Sequence, residues 1–171
     1  MLFFISKFFF IFLIFINNAN TNEKEYLNIS KFKNWEVISK PQKDICYAIS
    51  KPKRSEGIYN LRGKVSAVVA VNNNIKNKYF VGFDFGYSFS KNDKVRLIID
   101  DKVIFELDTF AQTAWTNYSK NPKLDKKIIN AMKKGQNLVA EGTSKRGTFT
   151  KDYYSLAGFT KAFNKVKDIC D

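Results

Sequence analysis

SKRGTFTKDYYSLAGFTKAF, from Ser144 to Phe163, decides how the end of this chain is read. Gly142 and Gly147 bracket a turn, because glycine reaches turn conformations that other residues adopt only at a cost. Thr148 and Thr150 then alternate with Gly147, Phe149 and Lys151, the two-residue period of a half-exposed strand. Tyr153 to Leu156 is a further short strand, in which Tyr153 or Tyr154 can bury its ring and keep its hydroxyl wet. Gly158 permits tight passage into a helix with the stripe Phe159, Ala162, Phe163 and Val166. The stretch therefore reads mainly as fold punctuation: a turn, short strands and a helix start. Arg146, in the turn, has two open roles: binding a carbonyl or aspartate of the chain itself, or binding an outside anion.

Working back from there, strands dominate. Val65 to Val71, VSAVVAV, is a β run rich in branched residues. Tyr79 to Tyr87, YFVGFDFGY, follows an Asn-rich loop from Asn72 to Lys78; Gly82 and Gly86 mark a bulge, a bend or close backbone packing. Val95–Ile99 and Val103–Leu107 flank Asp100, Asp101 and Lys102 as a hairpin. Trp35 and Val37 alternate with polar neighbours, and Ile45 to Ile49 is the next strand. A polar loop runs from Lys51 to Gly57, and Trp115 is placed at the edge of the core. Asn121 as N-cap and Pro122 as first residue open a helix with the stripe Leu124, Ile128 and Met132, and Gly135 is expected to end it in a left-handed cap. About eight short strands with two short helices near the C-terminal end favour a sandwich over a parallel α/β fold.

The N-terminus carries Lys7, then FFFIFLIFI from Phe8 to Ile16, then Asn17 to Asn20. That order of charge, apolar core and small or polar exit is the layout of a secretory signal peptide, with cleavage expected after Ala19. The apolar run is short of the roughly 20 residues of a membrane span, so no span is expected in the mature protein; an uncleaved anchor is the competing reading. The chain divides into a signal peptide, residues 1–19, a loose leader, 20–34, and one β domain, 35–171. An exported chain with a single pair of cysteines, Cys46 and Cys170, reads as one disulfide. The loop it closes is long, and chain entropy then gives roughly 4–5 kcal/mol as an upper value.

Twenty-nine Lys and Arg against 16 Asp and Glu leave a net charge of +13. Such a balance steers the chain toward anions. An envelope protein, or an anionic lipid or glycan, fits an exported protein; nucleic acid does not. The groups offered to such a partner are Arg62, Arg146 and the helix lysines Lys126, Lys127, Lys133 and Lys134. A solvated surface is the plainer explanation of the same lysines.

The chain has no histidine, which removes the imidazole acid–base catalysts and histidine metal ligands. Two cysteines do not complete a zinc shell. No phosphate-binding loop or dinucleotide fingerprint occurs. Asp100 and Asp101 sit in a turn, Asp152 reads as a surface residue, and nothing orients Ser144 or Ser155 against Lys145. No catalytic residue, metal site or cofactor is expected.

The same residues carry a resemblance. The ending GTSKRGTFTKDYYSLAGFTKAF with Cys170 behind it, IINAMKKGQ from Ile128 to Gln136, FDFGYSF with VRLIID after it, the Ala114–Trp115 pair, LRG at Leu61 to Gly63, and Trp35 with Cys46 together resemble the invasion-associated locus B family of small exported bacterial proteins. The resemblance spans about Trp35 to Cys170; Lys64 and Tyr153 depart from the pattern. It implies an immunoglobulin-like β-sandwich in the periplasm or associated with the outer membrane. It also implies that Trp35, Trp115, Gly147, Gly158 and Phe159 are structural positions. Members in intracellular pathogens are linked to entry into host cells, while free-living bacteria carry the family too, and no catalytic residues are established for it. The expected function is thus a non-enzymatic envelope protein that binds another macromolecule or supports envelope integrity. A host-cell adhesion or invasion factor is the first alternative and an uncharacterised periplasmic enzyme the second.

Overall fold

Alternating apolar residues build eleven strands in the computed structural model, which describes residues 27–40, 45–72, 74, 79–118 and 123–170. The signal peptide expected at 1–19 and the N-cap expected at Asn121 and Pro122 lie outside the described residues. The strands are β1 (Leu27–Phe32), β2 (Trp35–Lys40), β3 (Ile45–Ser50), β4 (Arg54–Glu56), β5 (Ser66–Asn72), β6 (Tyr79–Asp84), β7 (Lys94–Ile99), β8 (Val103–Phe110), β9 (Thr113–Trp115), β10 (Asn137–Thr143) and β11 (Phe149–Ser155). Among the described residues two α-helices accompany the strands, α1 (Leu124–Lys134) between β9 and β10, and α2 (Phe159–Cys170) after β11.

All pairings are antiparallel, in the order β1-β2-β3-β5-β6-β9-β8-β7-β10-β11-β4. β8 is the joint: it pairs along its length with β7, and at Thr109 and Phe110 with β9. The sheet curls there, and its two halves share one core. Phe83 of one half meets Tyr154 of the other edge-on, with ring centroids 6.0 Å apart. The expected mainly β architecture with two helices is present, and an immunoglobulin-like sandwich is consistent with it.

Alternation decides which side chains enter that core. In β3 Cys46, Ala48 and Ser50 point in; in β11 Thr150, Asp152 and Tyr154 do. Trp35 is fully buried, and its indole N–H donates to the Ser155 carbonyl at 3.0 Å, which satisfies the one polar atom the ring carries. Phe159 of α2 packs on it edge-on at 4.9 Å. Cys46 and Cys170 are joined, with Cα atoms 5.9 Å apart, so the last residue of α2 is fastened to β3.

Several expectations are corrected. The supposed loose leader carries β1, which pairs with β2 from Leu27↔Ser39 to Phe32↔Trp35. The polar loop contains β4, which adds an edge to β11. Gly135 does end α1, but in an extended conformation (φ −86°), not a left-handed one. Its missing side chain matters for space: a Cβ there would overlap the Ile99 side chain. Gly158 is the true left-handed glycine of this region (φ +94°), and it presses against the Phe32 carbonyl at the β1–β2 turn. Gly147 also turns left-handed (φ +84°), in open space. Trp115 is half-buried and lies opposite Gly82 on β6, its indole covering the face where a side chain would stand.

Candidate functional site

α1 is amphipathic, and its buried face of Leu124, Ile128, Ile129 and Met132 sets where its lysines go. One flank faces the β7–β8 hairpin. Asp100 and Asp101 both take positive φ (49° and 56°) in the hairpin turn, which the Lys102 N–H closes onto the Ile99 carbonyl at 3.1 Å. Aspartate tolerates that conformation better than most residues. The Asp100 carboxylate then accepts the N–H groups of Gln136 (3.0 Å) and Asn137 (2.8 Å), where α1 gives way to β10. The hairpin and the helix exit are locked together, and Gly135 lets Ile99 approach closely.

An open groove of about 540 Å³ runs between these walls. Its volume lies within the usual range of ligand sites. Ile99, Val103, Phe105 and Ala131 give it an apolar floor, and Lys102, Lys127 and Lys134 stand on its rim. Lys127 and Lys134 are two helical turns apart, about 10 Å along the axis. Among the described residues, no ion pair engages these three lysines. The one carboxylate in the groove, Asp100, is already committed to backbone N–H groups.

The structure thus divides the lysine face expected on α1. Lys127 and Lys134 line the groove, joined by Lys102, which the sequence reading did not single out. Lys126 and Lys133 are exposed on the other flank, and the Lys133 ammonium lies 4.4 Å from the Phe163 ring centroid of α2, a cation–π contact.

Arg62 and Arg146 are not brought to that groove. The Arg62 side chain is 4% exposed, and its guanidinium forks onto both oxygens of Asp152 at 2.8 and 2.6 Å. Its Nε–H donates to the Phe85 carbonyl at 2.7 Å, and the rings of Tyr59 and Tyr87 lie within cation–π reach, 5.5 and 5.0 Å from the guanidinium carbon. Burial works against its charge, but the Asp152 bonds and charge more than offset that and raise its pKa. Asp152, expected on the surface, is fully buried, because the alternation of β11 turns it inward. It is tolerated there by Arg62 and by the Ser55 hydroxyl, which donates to it at 2.7 Å. Arg146 is exposed in the β10–β11 turn, with no hydrogen bond or ion pair among the described residues.

The serines considered for catalysis act as turn acceptors. Ser144 Oγ takes the Thr148 N–H at 3.1 Å and Ser155 Oγ the Ala157 N–H at 3.3 Å. Glu141, buried in β10, pairs with Arg96 at 3.0 Å and Lys151 at 2.9 Å on the neighbouring strands. The Glu141 bond raises the Lys151 pKa. No group of three His, Cys, Asp or Glu among the described residues is arranged to hold a metal ion.

Comparison with known proteins agrees with the resemblance. A family model described as Invasion associated locus B (IalB) protein matches residues 35–167. No curated protein and no solved structure matches the chain.

Proposed function

From the premise that this chain belongs to the invasion-associated locus B family, and is thus an exported, envelope-associated protein, we propose that it works by binding and not by catalysis. The occupant of the α1–hairpin groove is an acidic segment of another envelope protein. One observation carries this reading: three lysines without ion-pair partners on two walls of a groove whose floor is apolar. Their spacing favours a segment over a single headgroup. Lys127 and Lys134 are rooted about 10 Å apart along the helix axis, a spacing that several carboxylates along one segment match better than one headgroup. Side chains on one face of an extended segment recur about every 6.6–6.8 Å, so successive carboxylates can meet both walls while apolar neighbours cover the floor. A rim of lysines supplies attraction and on-rate, and the buried apolar floor supplies persistence.

The test is a photo-crosslinking residue at Asn130, on the groove, in living cells, followed by mass spectrometry. An adduct with an acidic envelope protein that disappears when Lys127 and Lys134 are changed to Glu supports the reading. Adducts that consist of lipid, or that survive the charge reversal, refute it.

A further inference from the structure

At the far end of β10 from the groove, three segments converge on a second surface. The loop from Gly57 to Lys64 holds Ile58 95% exposed and Leu61 93% exposed. Such exposure is ordinary for a lone aliphatic residue but not for two, three positions apart, on a loop held firmly from behind. Arg62, next to Leu61, is the buried partner of Asp152. Gly63 donates to the Gly86 carbonyl at 2.9 Å. Gly57 packs against the backbone of Phe149, itself 49% exposed at the start of β11. Lys145, in the β10–β11 turn, donates its backbone N–H to Ser88 at 2.7 Å and so fixes that turn to the same end.

Cations stand on the same segments. Lys64, Lys145 and Arg146 are exposed and have no ion pair among the described residues. The nearby acids are engaged: Glu56 by Arg54 and the Tyr153 hydroxyl, Asp84 by the Gly86 N–H, and Asp152 by Arg62.

We propose that this end is a membrane-docking surface for an anionic bilayer. Ile58 and Leu61 enter the boundary between headgroups and acyl chains, and Lys64, Lys145 and Arg146 meet lipid phosphates. Aliphatic residues flanked by cations are the chemistry that interfacial binding uses. The loop projects and does not enclose, which suits a deformable lipid surface better than a shaped partner. Arg62 acts from behind as a positioning residue: its burial keeps Leu61 outward. The proposal explains Arg146 as the outside-anion residue and does not depend on the groove.

The test is co-sedimentation of the exported protein with vesicles of phosphatidylglycerol and phosphatidylethanolamine, against vesicles of phosphatidylcholine alone. Binding to the anionic vesicles is expected, weakening with salt, and absent on the zwitterionic ones. The double variant Ile58→Asp with Leu61→Asp should lose binding about tenfold or more, with an unchanged melting temperature because both side chains are already in water. Lys145→Glu with Arg146→Glu should lose several-fold, most at low salt. Binding that survives Ile58→Asp with Leu61→Asp overturns the proposal, as does failure to bind anionic vesicles. Binding abolished only by Lys102→Glu, Lys127→Glu and Lys134→Glu would move lipid to the groove and overturn the acidic-segment reading as well.

Discussion

Replacing Asp152 by Ala should be among the most damaging single changes in this protein. The carboxylate is 1% exposed and accepts two hydrogen bonds from Arg62 and one from Ser55. Its removal leaves a guanidinium buried without a counter-charge and a serine hydroxyl without its acceptor. Breaking such a pair from one side costs about 3–5 kcal/mol, most of it the penalty of the stranded charge. The pair itself contributes much less than that, because burying both ions offsets most of their attraction. The double variant Arg62→Met with Asp152→Ala should therefore lose at least about 2 kcal/mol less than the sum of the losses of Arg62→Met and Asp152→Ala. Urea unfolding of the four proteins, with the disulfide intact, measures the cycle. Amide exchange at Leu61 to Gly63 reports the second consequence, since the 57–64 loop is fastened through Arg62. A loss below about 1 kcal/mol for Asp152→Ala, the size of an exposed pair, would refute the buried assignment and remove the anchor from the docking loop.

Changing Cys46 to Ser should lower the stability measured by unfolding under oxidising conditions by up to roughly 4–5 kcal/mol and add nothing under reducing ones, where the native chain is equally unbridged. Equal losses in both conditions would mean that the cost lies in packing. Stability should also fall on the alkaline side. Burial raises the Tyr87 pKa to about 12, against the hydrogen bond shared with Thr150, and raises Tyr154 well above its ordinary value. Below the unfolded pKa of about 10 both states keep these protons and the contribution is complete; as pH climbs from there toward 12 the unfolded state releases them first, so stability drops. Tyr87→Phe should flatten that drop in pH-dependent unfolding, and an unchanged slope would show the ring to be solvated.

How much of this was legible depended on the range of the interaction. Local alternation was enough for β3 and β7, a run of branched residues for β5, and the apolar stripes for both helices, while the two short strands expected around Thr150 and from Tyr153 to Leu156 form the single strand β11. The disulfide was legible because two cysteines in an exported chain leave one pairing. β1 was missed although Leu27 and Ile29 alternate with polar residues, because its neighbours to the N-terminal side are polar and suggested a tail. Asp152 was misread for a different reason. A carboxylate at an inward strand position is credible only with its partner, and Arg62 is 90 residues away in sequence. Lys102 was overlooked likewise: nothing local says that the hairpin turn rests against α1. The glycine at 135 was chosen for space beside Ile99, which no pattern within α1 reveals.

Both proposed surfaces are built on one strand. Asn137, at the start of β10, is bound by the Asp100 carboxylate that shapes the groove, and Thr143, at its end, pairs with Phe149 of the docking surface. Seven strand residues separate the two by about 20 Å. β10 is paired on both sides, by β7 and β11, so this spacing cannot change without breaking a ladder. A rigid spacer gives a physical reason for stiffening a small domain with a buried ion pair and a long-range disulfide. A protein segment in the groove would be held at a set height above a lipid surface met by Ile58 and Leu61. On the proposed function, shape alone would then support envelope integrity. The consequence is specific: a side-chain change in mid-strand that leaves the ladders paired should not uncouple them. Glu141→Ala removes the partner of both Arg96 and Lys151 but no backbone pairing. Vesicle binding, groove crosslinking and capture of the groove partner by vesicle-bound protein should all persist. Lost capture with both separate bindings intact would show that the side-chain pairs, and not the ladders, hold the spacing.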